Sequence, residues 1–241
     1  SVVILPGGNG ILTVARDDAE LQRTNLPIGG KPSASTVSHD GRRAYVPDAA
    51  RNLLVSVDLE QGRVLAETPV GDGPSHPIVT PDDRTVCLAN SRSHDISLVD
   101  AQTFQLLATI PSGEAAHQTT LTADGNTLLV ANFFEDSVSV VDLPTRTRAA
   151  VVKVGPYPHG LDMAPGNRYA VATHFGDPWV SIIDVVERKV AARVAAGLGS
   201  SHTTFSPDGE RAYVANSLAN SVTVIDLNSL EATAQIDASK G

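Results

Sequence analysis

Short β-branched runs, each broken by a polar turn, recur along the chain at a fixed step. LLVSVD, DISLVD, SVSVVD, WVSIID and SVTVID close at Asp58, Asp100, Asp142, Asp184 and Asp226, each 42 residues after the one before. One step before Asp58, the run Ile11-Leu-Thr-Val-Ala15 is followed by Arg16, so a sixth copy is present with its aspartate lost. A second marker keeps nearly the same step: HDG at His39–Gly41, PDD at Pro81–Asp83, ADG at Ala123–Gly125, APG at Ala164–Gly166 and PDG at Pro207–Gly209. Each copy predicts four strands. In the last copy strand a is expected over 202–207, strand b over 211–215, strand c over 221–226 and strand d over 232–236. The runs alternate sides with the period of a pleated strand. Gly, Asn and Asp stand where the chain must reverse, because they tolerate positive φ or bond their own backbone.

Four antiparallel strands in a repeat of this length specify the blade of a β-propeller, an all-β fold. A helical repeat needs apolar residues three to four apart, and these runs lack that spacing. The expected organisation is a single propeller domain over 1–241, with a partial blade at 1–30 and full blades at 31–70, 71–112, 113–154, 155–196 and 197–238. The partial blade lacks its first strand. The chain is then either a six-bladed ring with one incomplete blade or most of a seven- or eight-bladed ring, and the lack of a linker or low-complexity tail favours the first.

Composition narrows the function. The formal charge is −9 with no Lys/Arg cluster, which argues against nucleic-acid and anionic-membrane partners. The single cysteine, Cys87, lies within a strand run and reads as a packing residue, and no intrachain disulfide or cysteine-based zinc site can form. No apolar run is long enough to span a bilayer. There is no initiator Met and no signal peptide, so the expectation is a removed leader or a section of something longer.

The histidines carry the candidate chemistry. His76, His117, His159 and His202 stand near the start of strand a in four consecutive blades, at the rim expected for a central channel. His76 and His202 lie 24 residues before their blade's closing aspartate, and His117 and His159 lie 25. A one-residue slip reverses a side chain within a strand, whereas the loop entering it can absorb the shift. Converging neutral imidazoles suit a transition metal such as Cu, Zn, Fe or Ni, and the same ring would accept a haem-like cofactor or a small-molecule ligand. The competing reading is that each histidine bonds neighbouring backbone as a habit of the repeat. Both stay open. His174 ends strand b near Phe175 and Trp179 and is a further candidate for cofactor contact, while Trp179 reads as covering a blade edge. His39 and His94 fall in turns and should be exposed. The five repeated aspartates read as turn-closing residues that bond backbone N–H groups rather than as catalytic acids. No nucleophile elbow, Walker loop, His-Glu-x-x-His or Rossmann fingerprint is present.

The segments AYVANSLANSVTVID (Ala212–Asp226) and LLVANFFEDSVSVVD (Leu128–Asp142) resemble the YVTN-type propeller repeat across nearly the whole chain. Proteins of that type include surface-layer proteins, periplasmic binding proteins, lactonases and cofactor-carrying oxidoreductases, which implies a periplasmic or extracellular setting. A narrower resemblance joins Pro158-His159 and Ala172-Thr-His-Phe-Gly-Asp177 to the haem d1 propeller of cytochrome cd1 nitrite reductases and the haem d1 biogenesis proteins. It implies that His117 and His159 face a bound cofactor, with His174 beside them. The family's proximal ligand would lie upstream of Val2. Function therefore reads first as a binding protein with a histidine-lined channel mouth for a metal or metallocofactor. The alternatives are a protein-interaction scaffold with structural histidines, or a nitrite-reductase-like or lactonase-like enzyme. A metal-type lactonase calls for carboxylate and amide ligands, where the first-strand positions here offer mainly His, Ser and Thr.

Overall fold

The alternating runs fold as strands throughout a computed structural model that describes residues 2–7, 10–17, 21–32 and 34–239. Blade 1 is a three-stranded sheet of β1 (Val2–Gly7), β2 (Ile11–Asp17) and β3 (Leu21–Pro27). Blade 2 comprises β4 (Thr36–Val37), β5 (Arg43–Asp48), β6 (Leu53–Asp58) and β7 (Arg63–Pro69). Blade 3 comprises β8 (Pro74–Val79), β9 (Thr85–Asn90), β10 (Asp95–Asp100) and β11 (Leu106–Pro111). Blade 4 holds β12 (Ala116–Leu121), β13 (Thr127–Asn132), β14 (Ser137–Asp142) and β15 (Thr147–Lys153). Blade 5 holds β16 (Pro158–Met163), β17 (Tyr169–His174), β18 (Trp179–Asp184) and β19 (Lys189–Ala195). Blade 6 holds β20 (Ser200–Phe205), β21 (Arg211–Asn216), β22 (Ser221–Asp226) and β23 (Glu231–Asp237). Every sheet is antiparallel in sequence order, as hairpin connections require. Among the described residues no helix is long and apolar enough to cross a membrane.

The chain divides into two compact units, Ser1–Pro111 and Ser112–Gly241. In the first, Leu12, Val14, Ala44, Val46, Val55 and Val57 form one cluster, and Tyr45, Leu54, Val86, Leu88 and Val99 form another. In the second, Leu129, Val140, Leu161, Ala172 and Ile183 pack between blades 4 and 5, and Val171, Ile182, Val194, Val214 and Ile225 pack between blades 5 and 6. Both faces of the middle strands are covered, so their apolar runs are nearly continuous. Each such side chain contributes roughly 1.5–3 kcal/mol on burial.

The aspartates at the 42-residue step close the c–d corners. Asp58 accepts from Glu60 N and Gln61 N, Asp100 from Gln102 N and Thr103 N, and Asp226 from Asn228 N and Ser229 N. At the end of each b strand of blades 3, 4 and 6 an asparagine clamps strand c. Asn90 donates to Ser97, Asn132 to Ser137 and Ser139, and Asn216 to Ser221 and Thr223.

One register detail departs from the sequence expectation, and one outer strand departs from a uniform repeat. Pairing in blade 6 begins at Ser200, opposite Asn216, two residues before the strand start expected from sequence, and a bulge between Ser200 and Thr203 follows. The outer strand of blade 6 also leaves Ile236 52% exposed, whereas its repeat counterparts Thr68, Ile110, Val152 and Val194 are at most 5% exposed.

Candidate functional site

The bulge recurs at the same place in every full blade from the third onward: between Ser75 and Ile78, Ala116 and Thr119, Pro158 and Leu161, and Ser200 and Thr203. All four candidate histidines sit inside it. A bulge adds an unpaired residue and re-aims the side chains around it. This is how His202, one repeat position out of step with His117 and His159, still joins them. In the second unit the His117 and His159 rings lie 4.9 Å apart, inclined by 37°, and the His159 and His202 rings lie 6.3 Å apart. His76 belongs to β8 in the first unit, at a left-handed φ of 41°.

Aromatic side chains from the adjoining loops wall this row. Phe133 approaches Tyr157 at 5.4 Å and His159 at 6.4 Å, and Phe175 stands 6.3 Å from His159. Phe134 packs edge-on to Phe133 at 5.1 Å and is largely exposed, as is Phe175. The b–c turns carry the phenylalanines and the loop before strand a carries Tyr157, so one end of blades 4 and 5 gathers both sets. Gly160 makes the close approach of blade 6 possible. Its N–H donates to Thr173 Oγ1, which donates in turn to the Ser201 carbonyl.

Burial pushes the His117 ring below the ordinary histidine pKa, and the charge of His159 and then of His202 adds to the shift. His159 is lowered mainly by burial and then by His202, partly offset by the Ser201 carbonyl. Both are therefore neutral at pH 7. His159 Nδ1, Gln118 Oε1 and Thr203 Oγ1 are shut off from solvent without a hydrogen-bond partner. Beneath them Asp162, whose Oδ2 accepts from Thr203 N at 3.0 Å, is raised by burial above the usual carboxylate range.

Among the described residues no three His, Cys, Asp or Glu side chains are placed to hold a metal ion. The His117 and His159 rings are inclined by 37°, and the His159 and His202 rings meet edge to face at 67°. Of the four histidines expected to form a metal site, His117, His159 and His202 come together in the second unit, and His76 belongs to the first.

His174, the further candidate for cofactor contact, is closed off from solvent. Its ring is fully buried within blade 5, where it takes the place of the repeat's clamping asparagine, and Nε2 meets Ser181 Oγ at 2.9 Å. Gly155 lies so close that an added Cβ would sit 3.0 Å from the ring. Burial lowers its pKa to about 4. His39 and His94 are exposed as expected, and His39 Nδ1 meets Asp83 at 2.8 Å. Trp179 is 42% exposed at the start of β18. Sequence reasoning passed over Phe133, Phe134, Tyr157 and Gly160. One signal was available: three of only five phenylalanines, Phe133, Phe134 and Phe175, directly follow a strand-b end.

No curated protein matches the chain. Among solved structures it is similar to the hydrazine synthase of Kuenenia stuttgartiensis, with a TM-score of 0.72 and 23% identity over 82% of this chain and 63% of that one. It thus spans less than two thirds of that relative's length. A functionally unknown protein from Desulfotomaculum acetoxidans gives a TM-score of 0.78 and 16% identity over 94% of this chain and 75% of that one. At these identities the likeness is one of fold. The family model described as lactonase, 7-bladed β-propeller matches residues 100–240, more than half of the sequence, and the chain therefore belongs to that family of β-propellers.

Proposed function

We propose that the second unit is a binding module for a flat, conjugated ligand of the haem-like class, held against His117, His159 and His202. The observation that carries this reading is the tilted stack of neutral imidazoles, 4.9 Å apart, enclosed by Phe133, Tyr157 and Phe175. Ring faces meet a conjugated plane by offset or edge contacts, each worth about 0.5–1.5 kcal/mol beyond the area buried. A metallocofactor would bring its own redox or ligand-binding chemistry, while the protein's part is to bind it, orient it and exclude water. Membership of the family fixes the fold and not an activity, so hydrolase chemistry is not carried over.

Titration with haem dimethyl ester, a haem without free carboxylates, followed by absorbance, tests the reading. Saturable one-to-one binding is expected, weakened at least about tenfold in the His117→Ala/His159→Ala double variant, which corresponds to about 1.4 kcal/mol. Absence of binding to the folded protein would remove it.

A second reading, an interaction scaffold with structural histidines, rests on a different observation. The His117 ring interacts with the backbone carbonyl of His159, and the His159 ring with that of Ser201. If this is their role, the double variant loses stability and no haem binds. A periplasmic or extracellular location is proposed on the family resemblance alone, and fractionation of cells expressing the natural gene tests it.

A further inference from the structure

Resting on the reading above, we infer that the ligand's rim is cationic or neutral with hydrogen-bond donors, and that the site discriminates against an anionic rim. The charged side chains around the aromatic and histidine row are unevenly signed. Glu114 lies three residues before His117, and its N–H donates to Glu135 Oε2. Glu135 and Asp136 directly follow Phe134, and Asp136 Oδ1 accepts from Tyr157 N. Asp177 lies two residues after Phe175.

Against these four carboxylates stand Lys153 and Arg193, and both are engaged. Lys153 Nζ donates to the Glu135 carbonyl at 3.1 Å and lies 3.7 Å from its carboxylate. Arg193 meets Asp177 at 3.4 Å. Lys153 and Arg193 are thus paired with carboxylates of the same set, and Arg148 Nη1 donates to the Ser112 carbonyl. His117 and His159 do not substitute for a free cation, since both are neutral at pH 7 and charging either would cost desolvation and mutual repulsion. The carboxylates of Glu114 and Asp136 are exposed and accept hydrogen bonds, so they favour donors on the ligand.

A sulfonated or carboxylated rim would thus meet acceptors and negative charge. A rim bearing N–H groups or quaternary nitrogen would meet partners. The sign of the local field also sets the encounter rate, because charge around a concave or walled site steers ligands of opposite sign.

The test uses two planar probes of equal size and opposite charge, meso-tetra(N-methylpyridinium)porphyrin and meso-tetra(sulfonatophenyl)porphyrin, titrated at low salt into the intact chain. The cationic probe should bind at least about tenfold tighter, with the ratio shrinking as salt shortens the Debye length. Global charge is separated from local charge by two double variants. Glu114→Lys/Glu135→Lys, at the row, should cut the ratio to about threefold or less, whereas Glu187→Lys/Glu210→Lys, at turns on the opposite end of blades 5 and 6, should leave it within about twofold. Equal or tighter binding of the anionic probe overturns the inference and leaves the flat-ligand reading standing. Equal effects of the two double variants also overturn it. Binding of neither probe removes both.

Discussion

Thr173 Oγ1 donates to the Ser201 carbonyl at 2.9 Å while accepting from Gly160 N at 3.0 Å, so one hydroxyl ties blade 5 to blade 6 beside the histidine row. The tie depends on a missing Cβ. A methyl group on Gly160 would sit 2.0 Å from the Ser201 oxygen and 2.6 Å from Thr173 Oγ1. The nearer obstacle is backbone and cannot swing aside, so the strands must part. Gly160→Ala is expected to cost about 2–4 kcal/mol, the range of overpacked buried sites that also lose a hydrogen bond. The urea midpoint followed by far-UV circular dichroism measures it. A midpoint equal to the wild type would mean that the two blades approach less closely than these distances imply.

His174 makes acid stability a specific prediction. Its native pKa of about 4 lies below the ordinary value of 6.5, so the native ring refuses a proton that the unfolded chain accepts. Stability is therefore lost as pH falls from about 6.5 towards about 4, by roughly 3 kcal/mol for this group. His117 and His159, also lowered, add loss in the same direction. The turn carboxylates, such as Asp100, are held below their ordinary value of 3.8, so their contribution is lost in a lower and separate window. His174→Asn restores the residue found at positions 90, 132 and 216 and should keep pH 7 stability within about 1 kcal/mol while flattening the slope between pH 6.5 and 4. Denaturation midpoints across that pH range decide it. An unchanged slope would place the acid loss elsewhere.

The contrast between Asp226 and His174 explains how much could be read from the sequence. Asp226 and its counterparts act within three residues of themselves, bonding the N–H groups of the following turn, so their periodicity exposed both the blade count and their role. His174 occupies an equally periodic position, but what holds it is Ser181 on the neighbouring strand and the space left by Gly155. Its chemistry suggested a ligand; its place in the repeat, shared with Asn132 and Asn216, already indicated a clamp. The histidine row was half legible. The spacing revealed that His117, His159 and His202 share one region, and the one-residue offset of His202 was recognised. The bulge that reconciles the offset is a register event across strands, and no local signal in the chain marks it. Loop aromatics were harder still, because Phe133 and Tyr157 meet across 24 residues of chain through the pairing of β13 to β15.

Cys87 should be chemically silent in the native state. It is fully buried in β9 and burial raises its thiol to about 12, so almost no thiolate exists at pH 8. A disulfide reagent at pH 8 should label the native protein only as fast as it unfolds, and label it fully in denaturant. Cys87→Ala removes a small apolar group and should cost about 1 kcal/mol. Rapid native labelling, within the dead time of manual mixing, would show that blade 3 opens locally.

The mutual repulsion of the histidines predicts an order of effects. His159 contributes more than His202 to lowering His117, and burial contributes more than either. For His159 the charged neighbour is His202. Titrating the ring Cε1 protons by NMR should place both His117 and His159 below the ordinary value of 6.5. His159→Gln should raise the pKa of His117 more than His202→Gln does, and His202→Gln should raise that of His159. Phe133→Ala removes one of the two phenylalanine rings beside His159, admits water and should raise its pKa through the larger, burial-driven part of the shift. Glutamine preserves polarity and much of the bulk, so these changes report charge rather than collapse of the site. If His117 titrates identically with and without the His159 ring, the two do not share a field, and the close stacking at 4.9 Å is not maintained in solution.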